Sequence, residues 1–256
     1  WAARKLELDA LIETYRGKSE YDCLVPFSGG KDSTWTLYYL VKEYGLRPLV
    51  VRFDHGFLRP TVQDNTLRTI RQLGVAFHHF TPNWKLVQKL MLQAFLEKGD
   101  FCWHCHTGIF AYPMWVALRQ QVPLVIWGEP SSEYTAYFNY DQPEEVDEKR
   151  FNRFVNLGIS AQDMFVRLAG EVDERDLLPF TYPPLADLKR LNYRSLCLGS
   201  YVPWSGACRP ATSTGRSSAP CRACAITSST SSAATRARRT SCRSTSATAA
   251  SAARRL

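Results

Sequence analysis

Residues 21–33 read Tyr21-Asp22-Cys23-Leu24-Val25-Pro26-Phe27-Ser28-Gly29-Gly30-Lys31-Asp32-Ser33, and they predict the architecture of the chain around them. The apolar run at 22–27 predicts a short buried strand, and the pattern after it predicts a helix from about Ser33 to Tyr44. A glycine-rich turn, residues 28–33, connects the two. Such a turn presents backbone N–H groups and the N-terminus of a helix to an anion. The stretch therefore predicts a phosphate-binding loop.

The side chains of this turn suit the phosphates of a nucleotide. The glycines at 29–30 let a phosphate approach the backbone closely. Ser28 and Ser33 can donate hydroxyl hydrogen bonds to phosphate oxygens, and Lys31 adds a positive charge. Asp32 can hold a magnesium ion directly or through a water molecule. These groups make Lys31 and Asp32 the candidate catalytic residues.

The spacing differs from that of the Walker P-loop, which has four residues between its first glycine and a Gly-Lys-Ser/Thr ending. Residues 28–33 instead resemble the PP-loop of the N-type ATP pyrophosphatases. That resemblance implies cleavage of ATP between the α and β phosphates, adenylation of a carbonyl oxygen, and displacement of AMP by a nitrogen or sulfur nucleophile. The alternative interpretation of these six residues is a plain surface turn.

Strand and helix patterns alternate through the first half of the chain. Further strands are predicted at 48–53, 75–80 and 122–127, and further helices at 1–16, 61–73, 84–98 and 107–120. Such alternation is typical of an α/β fold with a parallel sheet flanked by helices. Because ligands bind at the carboxyl ends of such strands, we expect three segments to converge there. They are the loop at 28–33, Asp54 with His55 after the second strand, and Gly128 with Glu129 after the fourth.

Composition divides the chain into three parts. Residues 1–130 are predicted to form the ATP-binding α/β core. Residues 131–204 are predicted to be an insertion, polar and partly acidic to about residue 160, and then the C-terminal part of the same catalytic domain, with short helices at 161–169 and 171–178. Residues 205–256 form a tail in which 42 of 52 residues are Ala, Ser, Thr or Arg, so disorder is expected. We hypothesise that a frameshift near Trp204 produced the tail; a basic arm for RNA or a membrane is the alternative.

The net charge of +8 does not point to a nucleic-acid partner, because of where the charge lies. Nine of the 32 Lys and Arg residues are in the segment 205–256, which contains no acidic residue. Residues 1–204 carry 23 basic and 24 acidic side chains. This part of the chain is nearly neutral, and its charge gives no support for a phosphate-backbone partner.

Four cysteines lie in residues 1–204, namely Cys23, Cys102, Cys105 and Cys197. This number is typical of a cytoplasmic protein and not of a disulfide scaffold. The sequence contains neither a signal peptide nor an apolar stretch long enough to span a bilayer, so no membrane partner is expected. Since the chain opens on Trp1 and not on methionine, we expect it to be a fragment or a processed form.

A second motif is Cys102-Trp103-His104-Cys105-His106. The C-x-x-C-H pattern is that of haem attachment, but this chemistry requires export, which nothing in the sequence directs. The cysteine pair can also form half of a zinc or iron–sulfur site, with His104, His106, Cys197 or groups outside the chain as the remaining ligands. A third interpretation is a pair of structural or substrate-facing thiols at the start of a helix. Cys102 and Cys105 are therefore candidate metal ligands.

Four stretches together resemble the N-acetyl sugar amidotransferases of bacterial surface-polysaccharide and flagellin-glycan synthesis. They are residues 21–33, Phe53-Asp54-His55-Gly56-Phe57, Cys102-Trp103-His104-Cys105-His106-Thr107-Gly108-Ile109-Phe110 and Ile126-Trp127-Gly128-Glu129. The resemblance covers about residues 1–204. It implies that ATP activates the acetamido oxygen of a nucleotide-linked N-acetyl sugar as an O-adenylate, and that ammonia displaces AMP to give an acetamidino sugar.

The resemblance also implies a role for individual residues. The pyrophosphate would be held by Ser28, Gly29, Gly30, Lys31 and Ser33. Asp32 would organise Mg²⁺, and Asp54 and Gly128 would lie near the adenosine. A glutaminase–cyclase pair would supply the ammonia.

Two alternatives share the same loop. The first is a PP-loop tRNA thiolase that uses Cys102 and Cys105 for sulfur or for an iron–sulfur cluster, although the neutral body of the chain argues against tRNA binding. The second is a non-catalytic nucleotide-binding subunit. Amide ligases such as asparagine- or NAD-forming enzymes resemble the chain only in the loop.

Overall fold

The strands of the fold are short runs dominated by Leu, Val and aromatic residues. A computed structural model describes residues 1–128, 130, 147–148, 151–168 and 170–203. Glu129, most of the expected insertion and the tail at 205–256 lie outside the described residues. The strands are Cys23–Pro26 (β1), Pro48–Phe53 (β2), Ala76–Phe80 (β3), Leu124–Trp127 (β4) and Arg194–Cys197 (β5). Strands β1, β2 and β4 are buried almost throughout, as expected of strands covered on both faces.

All five strands pair in parallel, in the order β3-β2-β1-β4-β5. The chain therefore builds outward from β1 in one direction through β2 and β3, and then returns to the other side of β1 with β4 and β5. A crevice opens at such a reversal, outside the carboxyl ends of the two central strands. In this fold the reversal lies between β1 and β4, so the loop at 28–33 and Gly128 flank it.

Helices cover both faces of the sheet. They are Ala2–Tyr15 (α1), Lys31–Lys42 (α2), Pro60–Leu73 (α3), Trp84–Lys98 (α4), Trp103–Arg119 (α5), Ala161–Arg167 (α6) and Leu185–Arg190 (α7). A π-helical turn at Phe151–Val155 and 3₁₀ turns at Glu174–Phe180 and Leu198–Ser200 complete the described elements. None of these helices is long and apolar enough to cross a bilayer.

Successive side chains of β2 point to opposite faces of the sheet, and their contacts show which helices cover each face. Val50 packs into a buried cluster with side chains of α1 and α2, such as Ile12 and Leu40. Val51 and Phe53 point to the other face, where they pack with residues of α4 and α5. Arg52 has the same parity as Val50 and is also buried, so a charged side chain lies on the α1–α2 face at the carboxyl end of the strand.

The structure confirms the predicted α/β class and differs most from the sequence-based predictions at helix α5, at residues 174–180 and at strand β5. Helix α5 begins at Trp103 instead of residue 107, because the Asp100 carboxylate accepts a hydrogen bond from the Cys102 N–H (2.6 Å) and turns the chain directly into the helix. A 3₁₀ turn at Glu174–Phe180 replaces the helix predicted at 171–178. Strand β5 was not predicted, since four residues that include Arg194 and Ser195 carry too little alternation to be recognised.

His78 on β3 makes the stability of the fold depend on pH. Its Nε2 lies 2.8 Å from the Tyr112 hydroxyl. Burial lowers the pKa of His78, and the charges of Arg119 and His79 lower it further. The unfolded chain therefore binds a proton at His78 more readily than the folded chain does. The contribution of His78 to stability is fully present above the unfolded pKa of about 6.5 and is lost as pH falls through the lowered pKa of the folded state.

We expect the free energy of unfolding of the wild type to fall between pH 7.5 and 5.5, and to fall less in a His78→Gln variant. Glutamine can still hydrogen-bond to Tyr112 but does not titrate. Urea unfolding at several pH values measures this difference. Equal pH dependence in the two proteins would show that His78 does not contribute.

Candidate active site

The turn after β1 requires glycine at position 29 for two reasons. Gly29 has φ 80°, in the left-handed region that residues with a Cβ rarely adopt. A Cβ at this position would also lie 2.5 Å from Thr66 Oγ1 and 3.0 Å from Val62 Cγ1, both on α3. The backbone of the turn therefore packs directly against α3, with no room for a side chain.

Helix α2 starts directly from the turn. Gly30 is its N-cap, and no side chain caps the first helical turn. The first N–H groups of a helix have no acceptor within the helix, and its N-terminus carries a partial positive charge. The helix starts two residues before the predicted Ser33, so Lys31, Asp32 and Ser33 are the first three residues of α2. The whole motif thus lies at the positive end of a helix.

Two serine hydroxyls lie together at this helix end. Ser28 Oγ and Ser33 Oγ are 3.0 Å apart. Ser28 Oγ also accepts a hydrogen bond from the Gly30 N–H (3.2 Å), and Ser33 Oγ donates to the Gly30 carbonyl (3.3 Å). The motif therefore closes on itself, and both hydroxyls lie close enough together to contact the same anion.

Lys31 and Asp32 form an ion pair at the edge of the turn. Lys31 Nζ lies 2.5 and 2.8 Å from the two carboxylate oxygens of Asp32. The lysine side chain is 67% exposed and the aspartate side chain 18%. Magnesium in nucleotide sites is usually held by one or two carboxylates together with phosphate oxygens, so Asp32 fits this role. The Lys31 side chain is long and exposed enough to leave Asp32 and form an ion pair with a phosphate instead.

Asp54 is buried at the carboxyl end of β2, and its contacts shape the loop that follows. One carboxylate oxygen accepts a hydrogen bond from the Gly56 N–H (2.8 Å), and the other lies 3.5 Å from His79 Nε2. The Asp54 N–H donates to the Phe80 carbonyl (2.8 Å). The sequence singled out Asp54 but not its partner His79.

Gly128, after β4, lies against the start of α2. A Cβ on this glycine would be 3.2 Å from Thr36 Oγ1 and 3.7 Å from the carbonyl carbon of Asp32. The structure thus brings the loops after β1 and β4 into contact, as the parallel topology predicts. Asp54 follows β2, which pairs with β1 on its other side, so it lies along the same edge.

The Cys102–His106 motif lies at the start of α5, beside the loop after β2. His104 is fully buried, and its ring nitrogens lie 3.3 Å from the Phe101 carbonyl and 3.2 Å from the His55 carbonyl. Burial lowers the pKa of His104 and favours the neutral ring. Through this contact the motif fixes the position of the Asp54–His55 segment, which sequence reasoning did not foresee.

The described residues near Cys102 and Cys105 do not complete a metal centre. Burial raises the pKa of both thiols, that of Cys105 to about 12. Within the described ranges no group of three or more His, Cys, Asp and Glu side chains is arranged to hold a metal ion. Both His104 nitrogens face carbonyl groups. A closed zinc or iron–sulfur site therefore does not fit these residues alone, and the metal assignment stays a prediction.

Sequence reasoning missed a polar layer beneath the turn. Arg52 on β2 and Asn65 and Thr66 on α3 are all buried and hydrogen-bond to the turn or to each other. The available signal was an arginine inside an otherwise apolar strand, Pro48–Phe53. Such a residue is almost never fully buried unless it is paired.

Neither protein-family models nor curated proteins match this chain. Solved structures similar to it include NMN synthetase from Francisella tularensis (13% identity, TM-score 0.41, covering 74% of this chain and 92% of that one). They also include the NH₃-dependent NAD synthetase from Campylobacter jejuni (15% identity, TM-score 0.41, 75% and 93%). A predicted subunit of tRNA methyltransferase from Methanocaldococcus jannaschii has 21% identity and a TM-score of 0.32, over 46% of this chain and 57% of that one.

At 13 to 21% identity these likenesses concern the fold alone. The class of the fold follows from the chain itself. Five parallel strands flanked by helices, with the Ser-Gly-Gly-Lys-Asp-Ser segment running from the end of β1 into the start of α2, define a parallel α/β fold with a glycine-rich turn after its first strand.

Proposed function

We propose that this chain is an ATP-dependent carbon–nitrogen ligase, an amidotransferase that converts the acetamido group of a nucleotide-linked N-acetyl sugar into an acetamidino group. The observation that carries the nucleotide part is the geometry of residues 28–33. Gly29 packs without a side chain on α3, and the hydroxyls of Ser28 and Ser33 lie 3.0 Å apart at the uncapped start of α2. The sugar part rests on the sequence resemblance.

The turn suits the β and γ phosphates of ATP, which leave as pyrophosphate. The helix N-terminus and the two hydroxyls supply hydrogen-bond donors, and Lys31 supplies charge. Asp32 would hold Mg²⁺, which neutralises phosphate charge when bound. Asp54 and Gly128, along the same edge of the sheet, are proposed to lie near the adenosine.

The reaction balances without an oxidant or reductant. The acetamido oxygen attacks the α phosphorus of ATP, a new P–O bond forms, and the bond between the α phosphorus and the bridging oxygen breaks to release pyrophosphate. Ammonia then attacks the imidate carbon to form a C–N bond, the C–O bond breaks to release AMP, and one proton passes to solvent to leave a protonated amidino group. The acetamido oxygen therefore leaves in AMP, and the nitrogen of ammonia remains in the sugar.

This chemistry requires positioning and charge neutralisation rather than a covalent nucleophile from the protein. No step is assigned to Cys102 or Cys105. Because burial raises the pKa of both thiols, they are poor nucleophiles at neutral pH. Ammonia is proposed to come from glutaminase- and cyclase-like partner subunits.

The test is release of AMP and pyrophosphate by the purified chain with Mg²⁺, ATP and ammonium. It is run with a nucleotide-linked diacetamido sugar, with bulk tRNA, and with neither. We expect AMP release that depends on the sugar, with an amidino product in mass spectrometry. AMP release that depends on tRNA and is lost in Cys102→Ser would contradict the proposal in favour of the thiolase.

A further inference from the structure

Arg52 is a buried charge that no acidic side chain contacts, although the charge of the buried Asp54 acts on it from a greater distance. The Arg52 side chain is on the same face of β2 as Val50, and the residue is 3% exposed. No carboxylate of the described residues lies within 4.0 Å of its guanidinium group. The nearest acid in sequence, Asp54, is engaged by His79 and by the Gly56 N–H.

All the hydrogen bonds of Arg52 go to neutral groups beneath the turn. One terminal nitrogen donates to Thr66 Oγ1 (2.9 Å), and the other donates to the Ser28 carbonyl (3.2 Å). The Thr66 hydroxyl in turn donates to the Val62 carbonyl (2.8 Å). The Nε of Arg52 is buried and has no hydrogen-bond partner in the described part of the chain.

Asn65, like Arg52, donates a hydrogen bond to a backbone carbonyl of the turn. The Asn65 side-chain amide donates to the Gly29 carbonyl (3.1 Å), and its buried Oδ1 has no partner among the described residues. The carbonyls of two consecutive residues, Ser28 and Gly29, are thus held toward the interior. In a planar trans peptide the N–H points opposite to the C=O. The N–H groups of Gly29 and Gly30 are therefore directed away from Arg52, and that of Gly30 donates to Ser28 Oγ.

The burial of Arg52 costs stability in the free protein. Desolvation lowers the pKa of its guanidinium group, and the charge of Asp54 offsets only part of this effect. A buried charge whose hydrogen bonds all go to neutral groups is destabilising. Burial of an arginine is rare unless it is paired. An anion at the mouth of the turn would add a second negative charge to that of Asp54, at the uncapped N-terminus of α2.

We propose that Arg52 is a positioning residue of the phosphate site. It orients the Ser28–Gly29 peptide through the Ser28 carbonyl, and its buried positive charge is compensated when the pyrophosphate part of a nucleotide binds. This inference rests on the proposed function, because it takes the turn to be a phosphate site. It adds a residue from β2 to a site otherwise built from the turn and α2.

The test compares Arg52→Met and Arg52→Lys with a matched control, Arg194→Met. Arg194 is also an arginine on a strand and is partly buried, but it pairs in register with Leu124 at the amino end of the sheet, away from the turn. The probes are inorganic pyrophosphate and ATP, each with Mg²⁺, measured by calorimetry. Thermal unfolding is followed with and without each probe.

We expect Arg52→Met to weaken pyrophosphate and ATP binding about 30-fold, Arg52→Lys to recover part of the loss, and Arg194→Met to bind within about threefold of the wild type. The unfolding temperature of ligand-free Arg52→Met should equal or exceed that of the wild type, while the shift caused by pyrophosphate is lost. A residue with only a structural role would instead lower the unfolding temperature of the free protein.

Three results would overturn the inference, and they differ in what else they affect. If wild-type protein binds pyrophosphate and Arg52→Met binds it equally well, Arg52 has no positioning role and the proposed function stands. If wild-type protein binds neither pyrophosphate nor ATP, the inference and the proposed function both fail. Should Arg52→Met not fold, Arg52→Gln takes its place, because glutamine can donate to the Ser28 carbonyl but carries no charge. Pyrophosphate affinity of Arg52→Gln equal to that of the wild type would overturn the role of the buried charge.

Discussion

Gly29→Ala is expected to reduce ATP binding and ATP-dependent AMP release about 100-fold, the largest effect of any single methyl group in the site. The alanine must adopt φ 80°, which costs about 1–2 kcal/mol, and its Cβ must avoid Thr66 Oγ1 at 2.5 Å. Overpacking of this kind adds about 1–3 kcal/mol. The turn will relieve the contact by moving away from α3, and the donors at 28–33 lose their arrangement.

Gly45→Ala is the matched control for this substitution. Gly45 also has a positive φ, 64°, but nothing lies within 4 Å of the Cβ it would acquire. An alanine at this position must adopt the same kind of strained backbone conformation but meets no neighbouring atom, and it lies beyond the opposite end of α2 from the turn. We expect a similar backbone contribution to stability and nearly full activity, measured by urea unfolding and by AMP release. Equal loss of activity in both variants would show that strain in the fold, and not the shape of the turn, explains the result.

Gly108→Ala is expected to cause the largest loss of stability, about 3 kcal/mol in the free energy of unfolding. Gly108 lies in α5 where this helix crosses β2, and a Cβ there would be 2.2, 2.4 and 2.6 Å from three atoms of the Phe53 ring. In an open helix the same change would add about 1 kcal/mol of stability. The close approach of α5 to Phe53 therefore reverses the sign of an ordinary helix substitution.

A double-mutant cycle with Phe53→Leu isolates this contact. The smaller leucine leaves room for the new methyl group, so Gly108→Ala should cost less in the Phe53→Leu background, by about 1 kcal/mol or more. Urea unfolding of the four proteins measures the difference. Additive effects of the two substitutions would contradict the packing of α5 on β2.

Much of the fold could be predicted because each strand, helix or turn is indicated by a short continuous stretch of sequence. The turn at 28–33 is a contiguous motif, and β2 and α4 were predicted with the bounds that the structure has, Pro48–Phe53 and Trp84–Lys98. Each is a run of residues whose pattern matches one period. Strand β5 could not be predicted in this way. Arg194–Cys197 is too short to show a period, and it is stabilised by pairing with β4, which is distant in sequence.

The interior of the site could not be predicted for the same reason. Arg52 reaches Thr66 and Ser28 across 14 and 24 residues, and His104 reaches the His55 carbonyl across 49. No spacing rule connects such residues before the fold is known. The sequence indicated which loops meet at the edge of the sheet, but not which buried side chains hold their backbone in place.

The fate of the acetamido oxygen is the measurement that tests the proposed chemistry most directly. The nucleotide-linked sugar is prepared with a heavy oxygen isotope in its acetamido group and incubated with the chain, ATP, Mg²⁺ and ammonium. Mass spectrometry of the AMP and the sugar then follows the label. Activation as an O-adenylate predicts that AMP carries the heavy oxygen and that the amidino sugar has lost it. Unlabelled AMP, with the label retained in the sugar, would contradict the account, because ATP would then have been cleaved by water.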